Sequence, residues 1–401
     1  MTVPRIAMIV WNECRNDARV LKEAQTLQSA GYQVTVFARH TPGVTYRNEV
    51  LPEGIRIVRG GHTPLWRSSS PAIGPASGRR SVPLRRILSR LWAHAGMLLR
   101  IALHRAEVVH AHDVNTLVTA WLAARLSGAK LVYDAHEIST SREGYDRFRP
   151  WVARIERTLM PRAQATITTT DRRAAFFARA YAITRPLVLQ NRPRLTVRPN
   201  TQRIRNELGL QQPWPIILYQ GGLQQGRGLE RLLRVCTKLP EAYCVLIGGG
   251  RLTQPLKQLS EELGLAGRVH FIPTVALADL PSYTASADIA VQPIENTCLN
   301  HFTTDSNKLF EYVIAGLPVV ATNFPEIRAV VRAHAIGLLV PADRELPLHD
   351  ALKQLIDDPL LRRTLADNSR KAAEHLNWEQ QETKLVELYE RLLAGPMRAR
   401  P

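Results

Sequence analysis

The order of apolar runs in this 401-residue chain predicts an α/β protein built from two doubly wound parallel-sheet domains. Three observations carry the prediction. Short strand-like runs alternate with helical patterns through both halves. The chain is too long for one ordinary core, so two domains are the expectation from length. Asp305 to Thr322, DSNKLFEYVIAGLPVVAT, reads as a helix start feeding directly into a buried strand, the repeating step of such sheets.

In the first half the strand-like runs are Ile6 to Val10, Val34 to Phe37, Val108 to Ala111, Leu131 to Tyr133 and Ala165 to Thr168. Their counterparts in the second half are Ile216 to Tyr219, Cys244 to Ile247, Val269 to Phe271, Ile289 to Gln292 and Val319 to Ala321. Between them, Gln190-Asn191-Arg192-Pro193-Arg194 and the polar run to Asn200 read as a hinge. The boundary is placed near 190, giving domains 1–190 and 191–375, with an amphipathic helix from Trp378 to Leu393 in the tail 376–401. Ligands in this architecture sit outside the carboxyl ends of the strands.

In the Asp305–Thr322 stretch, Asp305 or Ser306 is expected to cap a helix beginning near Asn307, and Gly316 to close it. A helix start aimed at a ligand favours an anion, and Glu311 one turn on can accept two hydrogen bonds from paired hydroxyls of a sugar or ribose. An ordinary αβ unit with a solvated Glu311 fits the same periodicity.

Formal charge is +18, a field that attracts phosphate-bearing partners such as nucleotide sugars, nucleic acid or anionic lipid surfaces. Nucleic acid is set aside, because the arginines lack aromatic interleaving or a known module. Cys14, Cys236, Cys244 and Cys298 have no CxxC spacing, so reduced cysteines in a cytoplasmic protein are expected, with no disulfide framework or zinc site. The apolar run at the start is too short for a signal peptide, and no stretch approaches the twenty residues of a membrane span.

One segment interrupts the rhythm. Ile55 to Ala106 contains no Asp or Glu, whereas arginines recur at 67, 79, 80, 85, 86, 90, 100 and 105. The basic insertion, about 64–105, begins with a Ser-, Gly- and Pro-rich stretch expected to be a mobile loop, and ends in a helix expected to gather Leu84, Ile87, Leu88, Leu91, Ala95 and Leu98 on its apolar face. Such a helix suits an anionic membrane surface contacted through 67–105, or ordinary packing on the sheet; both hold if only the arginines and loop touch lipid.

Asn16-Asp17-Ala18-Arg19-Val20-Leu21-Lys22-Glu23-Ala24, VVHAHD at 108–113, LVYDAHE at 131–137, LYQGG at 218–222 with Arg227-Gly228, LIGGG at 246–250 and NKLFEY at 307–312 stand in order along nearly the whole chain. Together they resemble the retaining family 4 glycosyltransferases of the GT-B fold, especially the group with an NKLFEY-like run. The resemblance implies two Rossmann-like domains facing a cleft, with the C-terminal helix crossing back onto the first. It implies a hexosyl-type transfer from a UDP- or GDP-linked sugar to a glycan or lipid-linked acceptor, in cell-surface polysaccharide or glycolipid synthesis at the inner face of the plasma membrane. No cofactor and no metal are expected, because arginine, lysine and helix amides can neutralise the diphosphate.

By the same resemblance His136, Arg227 and Lys308 are the expected catalytic residues. Gly221, Gly222, Arg227, Asn300, Ser306, Asn307, Lys308, Leu309 and Glu311 are expected to bind the donor, and Asp17, Arg19, His112, Asp113 and Glu137 to line or support the acceptor side. Arg19 is read as a cleft residue or as a partner for Asp17. The family's glutamate pair is incomplete: eight positions before Glu311 stands Thr303, and an amide, Asn300, is expected to take over part of the donor-sugar contact. That gap leaves two other readings, a catalytically silent nucleotide-sugar-binding subunit and a nucleotide-sugar epimerase of similar architecture.

Overall fold

The computed structural model describes residues 3–60, 84–142, 148–197, 199 and 201–394, with the backbone alone for 84–87. The chain divides into two compact units, one of residues 1–169, 174–188 and 384–401, the other of residues 170–173 and 189–383.

The first unit holds β1 (Arg5–Ile9), β2 (Gln33–Arg39), β3 (Asn48–Val50), β4 (Arg56–Gly60), β5 (Val108–His112), β6 (Lys130–Ala135), β7 (Ala165–Thr168) and β8 (Leu187–Val188). Their order is β3-β4-β2-β1-β5-β6-β7-β8, parallel except for β3 against β4. All five runs expected in this half are strands; β3, β4 and β8 were not foreseen. β3 is Asn-Glu-Val with both ends exposed, so it carries no apolar alternation for a sequence reading to find. A short, charged antiparallel strand also blunts the sheet edge, which is why it departs from the parallel pattern.

The helix Leu84–His104 buries a different face from the one expected. Ala93, Met97 and Ile101 point into the core and Leu98, alone of the expected face among the described side chains, packs half-buried against it, whereas Leu88, Leu91, Trp92, Ala95, Leu99 and Leu103 are exposed. Its broad apolar arc, with Leu88, Leu91, Trp92 and Leu99, lies away from the buried side, where Ala93 and Met97 stand among Arg90 and Arg100, so periodicity points to the wrong face. Arg90 lies over the ring of Trp11, which stacks on His94 at 3.9 Å. Arg67, Arg79, Arg80 and the Ser-, Gly- and Pro-rich stretch lie outside the described residues, as do the side chains of Leu84, Arg85, Arg86 and Ile87.

The second unit holds β9 (Ile216–Gln220), β10 (Tyr243–Ile247), β11 (Val269–Ile272), β12 (Ile289–Gln292), β13 (Val319–Thr322) and β14 (Gly337–Val340), in the order β11-β10-β9-β12-β13-β14, all parallel. Alternate residues face opposite cores: Ile216 and Leu218 pack with Phe310 and Val313, Ile217 and Tyr219 with Leu232 and Leu352. Helices therefore cover both faces, which is what continuous apolar strands require. Strand order reverses beside β1 and β5 in the first sheet and beside β9 and β12 in the second. In open α/β sheets ligands sit outside the carboxyl ends at such points.

The last helix, Glu379–Ala394, begins in the second unit, and from Lys384 onward it belongs to the first. There Lys130 donates to the carbonyl of Leu392, and Tyr389 is fully buried. Among the described residues all four cysteines are free thiols, and no helix is long and apolar enough to cross a membrane.

Candidate active site

In the first unit the chain leaves β5 and β6 at the carboxyl edge and presents His112, Asp113 and His136. Asp113 adopts φ 62°, a left-handed conformation that costs a non-glycine residue about 1–3 kcal/mol and is kept only where the surroundings impose it. Its carboxylate lies 3.8 Å from His136 Nδ1 and 3.9 Å from Arg142, which also approaches Glu137 at 3.9 Å. His136 Nε2 lies 3.2 Å from both Asp134 Oδ2 and His112 Nδ1. Burial opposes charge on the His136 ring, but Asp113 and Asp134 outweigh it and raise the ring to about 9.

Arg19 does not stand open at the edge, and the Asp17 charge acts on it only after those of Asp134 and Glu23. It is buried, donating to Asp134 at 2.8 and 3.1 Å and lying 3.0 Å from Glu23. The reason is helical: Asp17 is the N-cap of Ala18–Ser29 and is occupied by Val20 N–H and the Asn12 amide, while Arg19 points inward two residues past the cap. Glu23, His110, His112 and Asp134 bring potential ligand atoms within 4.8 Å of one another, all buried. The cation among them is the Arg19 guanidinium. Sequence reasoning missed Glu23, His110, Asp134 and Tyr389. The available signal was register, since His112 pairs directly with Asp134 across β5 and β6 and Glu23 lies one turn after Arg19.

In the second unit the carboxyl end of β9 runs into Gly221 and Gly222, below the start of the helix Asn307–Ile314. Gly221 has φ 134°, and a Cβ there would stand 1.8 Å from Lys308 Cε. The lysine stem thus packs across a position that only glycine leaves open. Burial lowers the Lys308 ammonium below its usual range, and Arg227 acts in the same direction. The helix cap differs from expectation. Ser306, at φ 53°, makes no side-chain cap bond, and Asp305 is buried and accepts from the Gln190 amide at 2.9 Å. The helix start is left without a side-chain acceptor.

Glu311 is fixed by amides. Gln220 donates to it at 2.5 Å and Asn307 at 3.1 Å, while Thr284 holds the Gln220 carbonyl at 2.7 Å. The Leu309 side chain lies in the core and its N–H donates to the Ser306 carbonyl at 3.0 Å, so Leu309 offers no side-chain group to a ligand. Asn300 and Thr303 are also buried. Thr303 donates to the Leu299 carbonyl at 2.7 Å and accepts from Arg173 at 3.3 Å; Arg173 in turn donates to the Asn300 carbonyl at 3.0 Å. Where the family pattern has a glutamate, this chain has a staple for a short helix. A further unforeseen residue is His301, bonded to Thr297 at 2.8 Å and packed so closely on Gly226 that a Cβ there would stand 2.5 Å from its ring. Burial and Arg227 hold that imidazole down at about 4, hence neutral.

Residues 17–192 match the glycosyl transferase 4-like domain, and residues 200–372 match glycosyl transferases group 1. The D-inositol 3-phosphate glycosyltransferase of Corynebacterium urealyticum is 27% identical over 93% of this chain and 89% of its own length. Its namesake from Xylanimonas cellulosilytica is 25% identical over 92% and 90%. Among solved structures, sucrose-phosphate synthase from Thermosynechococcus elongatus superposes with a TM-score of 0.82 at 20% identity, covering 98% of this chain and all of that one. Anabaena HepE, solved with UDP-glucose, gives 0.72 at 16% over 97% and 100%, and the lipopolysaccharide glycosyltransferase WaaG 0.69 at 18% over 98% and 100%. The two matched segments, full-length relatives of one activity and the fold shared with these structures agree: the chain is a glycosyltransferase of the GT-B type.

Proposed function

We propose that this enzyme moves a sugar from a nucleotide diphosphate donor, UDP- or GDP-linked, to an acceptor hydroxyl, with retention and without a metal ion. The observation that carries the reading is the uncapped start of the Asn307–Ile314 helix, with Lys308 folded over Gly221 and Glu311 oriented by Gln220 and Asn307. Backbone amides and two cations suit a diphosphate, and a carboxylate with both oxygens oriented suits a ribose diol. HepE being solved with UDP-glucose supports the donor class. Retention rests on the resemblance of the NKLFEY run. In the first unit His136 acts on the transfer step, beside the reacting sugar.

The acceptor is a glycan or lipid-linked sugar met at an anionic membrane surface. The exposed Leu88, Leu91, Trp92, Leu99 and Leu103 on a helix within an acid-free segment support this. A second reading, a soluble polyol phosphate acceptor, is favoured by the relatives' names and by the +18 charge.

A panel of nucleotide sugars assayed for nucleotide release, with and without acceptors of both kinds, tests the whole. Absence of donor turnover and of nucleoside diphosphate binding across the panel would refute the donor reading. For the acceptor, co-sedimentation with phosphatidylglycerol vesicles should fall at least about fivefold in Trp92→Ser/Leu99→Ser and in high salt, as both apolar insertion and charge are needed. Vesicle binding indifferent to both leaves the polyol phosphate as the acceptor.

A further inference from the structure

Glu23 and Asp134 lie in one fully buried pocket of the first unit with a single guanidinium, that of Arg19, against both. Two carboxylates in a dry site cannot both ionise cheaply, and one cation neutralises one of them. Geometry selects which. Asp134 takes two directed hydrogen bonds from Arg19 and lies 3.2 Å from His136 Nε2. Neither Glu23 oxygen receives a directed hydrogen bond, although Arg19 Nε approaches one at 3.0 Å.

We propose that Asp134 is a positioning residue for the transfer step: as the ionised carboxylate of this pocket it joins Asp113 in keeping the His136 ring charged and fixes its Nε2 at the carboxyl edge of the first sheet, while Glu23 is retained as a neutral acid at neutral pH. The proposal rests on His136 acting in transfer, as argued above. Its chemical consequence is definite. A charged imidazole has two N–H donors and no lone pair, so His136 serves as a donor and a local positive charge rather than as a general base.

The groups facing His136 come from several elements: Asp134 from β6, His110, His112 and Asp113 from β5 and its end, Arg19 and Glu23 from the Ala18–Ser29 helix, and Arg142 from the segment beyond. Burial keeps His110 and His112 below the usual histidine range, so neither adds a competing charge at neutral pH. Burial first, and then the neighbouring Asp134 against the opposing pull of Arg19, raises Glu23 to about 8. For Asp134, burial is overcome by Arg19 and His136, which hold it well below the usual carboxylate range. Buried groups pushed apart in this way mark an assignment of acid and base forms.

The test is imidazole NMR on the full-length chain, with kcat and donor KM measured across pH, in wild type, Asp134→Asn and Glu23→Gln. The wild-type His136 ring should remain charged through pH 8. Asp134→Asn should lower its midpoint by at least about one pH unit and cut kcat at pH 8 at least about fivefold, with donor KM within about twofold. Glu23→Gln, which exchanges a neutral group for a neutral one at pH 7, should leave the His136 ring fully charged there and shift its midpoint less than Asp134→Asn does. A wild-type ring titrating at or below the ordinary 6.5, or a midpoint indifferent to Asp134→Asn, overturns the proposal. If Asp134→Asn does not fold, the other two proteins decide, because a His136 ring in Glu23→Gln that is no longer fully charged at pH 7 would show that Glu23 carries the charge. Wild-type turnover in His136→Ala would instead remove the role of His136 in transfer, while the ring midpoints still judge Asp134.

Discussion

The carboxyl edges of the two sheets solve opposite electrostatic problems. In the first unit charge is buried and internally balanced: Arg19, Glu23, His110, His112 and Asp134 are all at most 3% exposed, and the neighbouring His136 and Asp113 are half-buried. In the second unit the edge is glycine-shaped, its helix start lacks a side-chain cap, and Arg227, Lys308 and Glu311 are half-buried. A balanced buried network holds one ring in one orientation and one charge state, at the cost of desolvating several ions. An open cationic edge has its charge satisfied only when an anion arrives. The contrast gives the proposed function its division of labour, with geometry and charge state expected from the first unit and donor affinity from the second.

Breaking the second edge should have the largest effect. Glu311→Ala removes an acceptor already oriented by Gln220 and Asn307, so donor affinity should fall by about 2–4 kcal/mol, and calorimetry on the folded variant measures it. Donor binding unchanged in that variant would mean the diol is read elsewhere. Gly221→Ala comes next. Its Cβ would stand 1.8 Å from Lys308 Cε at a backbone φ of 134°, so a loss of about 1–3 kcal/mol in stability is expected, together with weaker nucleoside diphosphate binding as Lys308 is displaced. An unaltered melting temperature with unaltered affinity would show that the lysine stem has room to move aside.

How much of this the sequence disclosed follows from where the signals lie. β1, β2, β5 to β7 and the core strands of the second unit were legible because parallel strands buried on both faces read as apolar runs. β3 was not, being a short edge strand without an apolar run, whereas β14 carries a Leu-Leu-Val run that the reading passed over. His136, Gly221 and Glu311 stood out within local motifs. Asp134 and His110 were hidden inside runs that read as core strand, and Tyr389 lies 279 residues from His110, its hydrogen-bond partner. The inward face of Leu84–His104 was misjudged because the broad apolar arc that sets its phase is largely exposed, and smaller residues beside the arginines are the buried ones. Thr303 appeared as a missing glutamate until Arg173, from another part of the chain, gave it a packing role.

Arg227 and Lys308 sharpen the comparison at smaller amplitude. Lys308→Met and Arg227→Gln should each weaken nucleoside diphosphate about tenfold, or 1.4 kcal/mol, and leave nucleoside binding within about twofold, because only the former presents charge to the cation. Competition titration with both ligands reads the ratio. Equal losses would assign these side chains to the fold or the base.

The smallest expected effect lies in the first unit. Tyr389→Phe deletes the hydroxyl that meets His110 Nδ1 at 2.8 Å, in a site where His110 Nε2 already has no partner. The cost should be about 1 kcal/mol of stability, seen as earlier unfolding of amides in β5 and β6 by hydrogen exchange. Its pH dependence separates it from the charged set. His136 is raised to about 9, so the stability it contributes is fully present below its ordinary 6.5 and is lost as pH rises through about 9. Glu23, raised to about 8, loses its contribution in the same direction between its ordinary 4.5 and that value. Wild type should therefore weaken steadily from pH 6 to pH 9. His110, kept neutral by burial, does not titrate in that window, so Tyr389→Phe should run parallel to wild type, offset by a constant amount. A difference between the two that widens or closes with pH would mean that the tyrosine hydroxyl is coupled to the charged set, and that the buried network extends as one titrating unit from the C-terminal helix to His136.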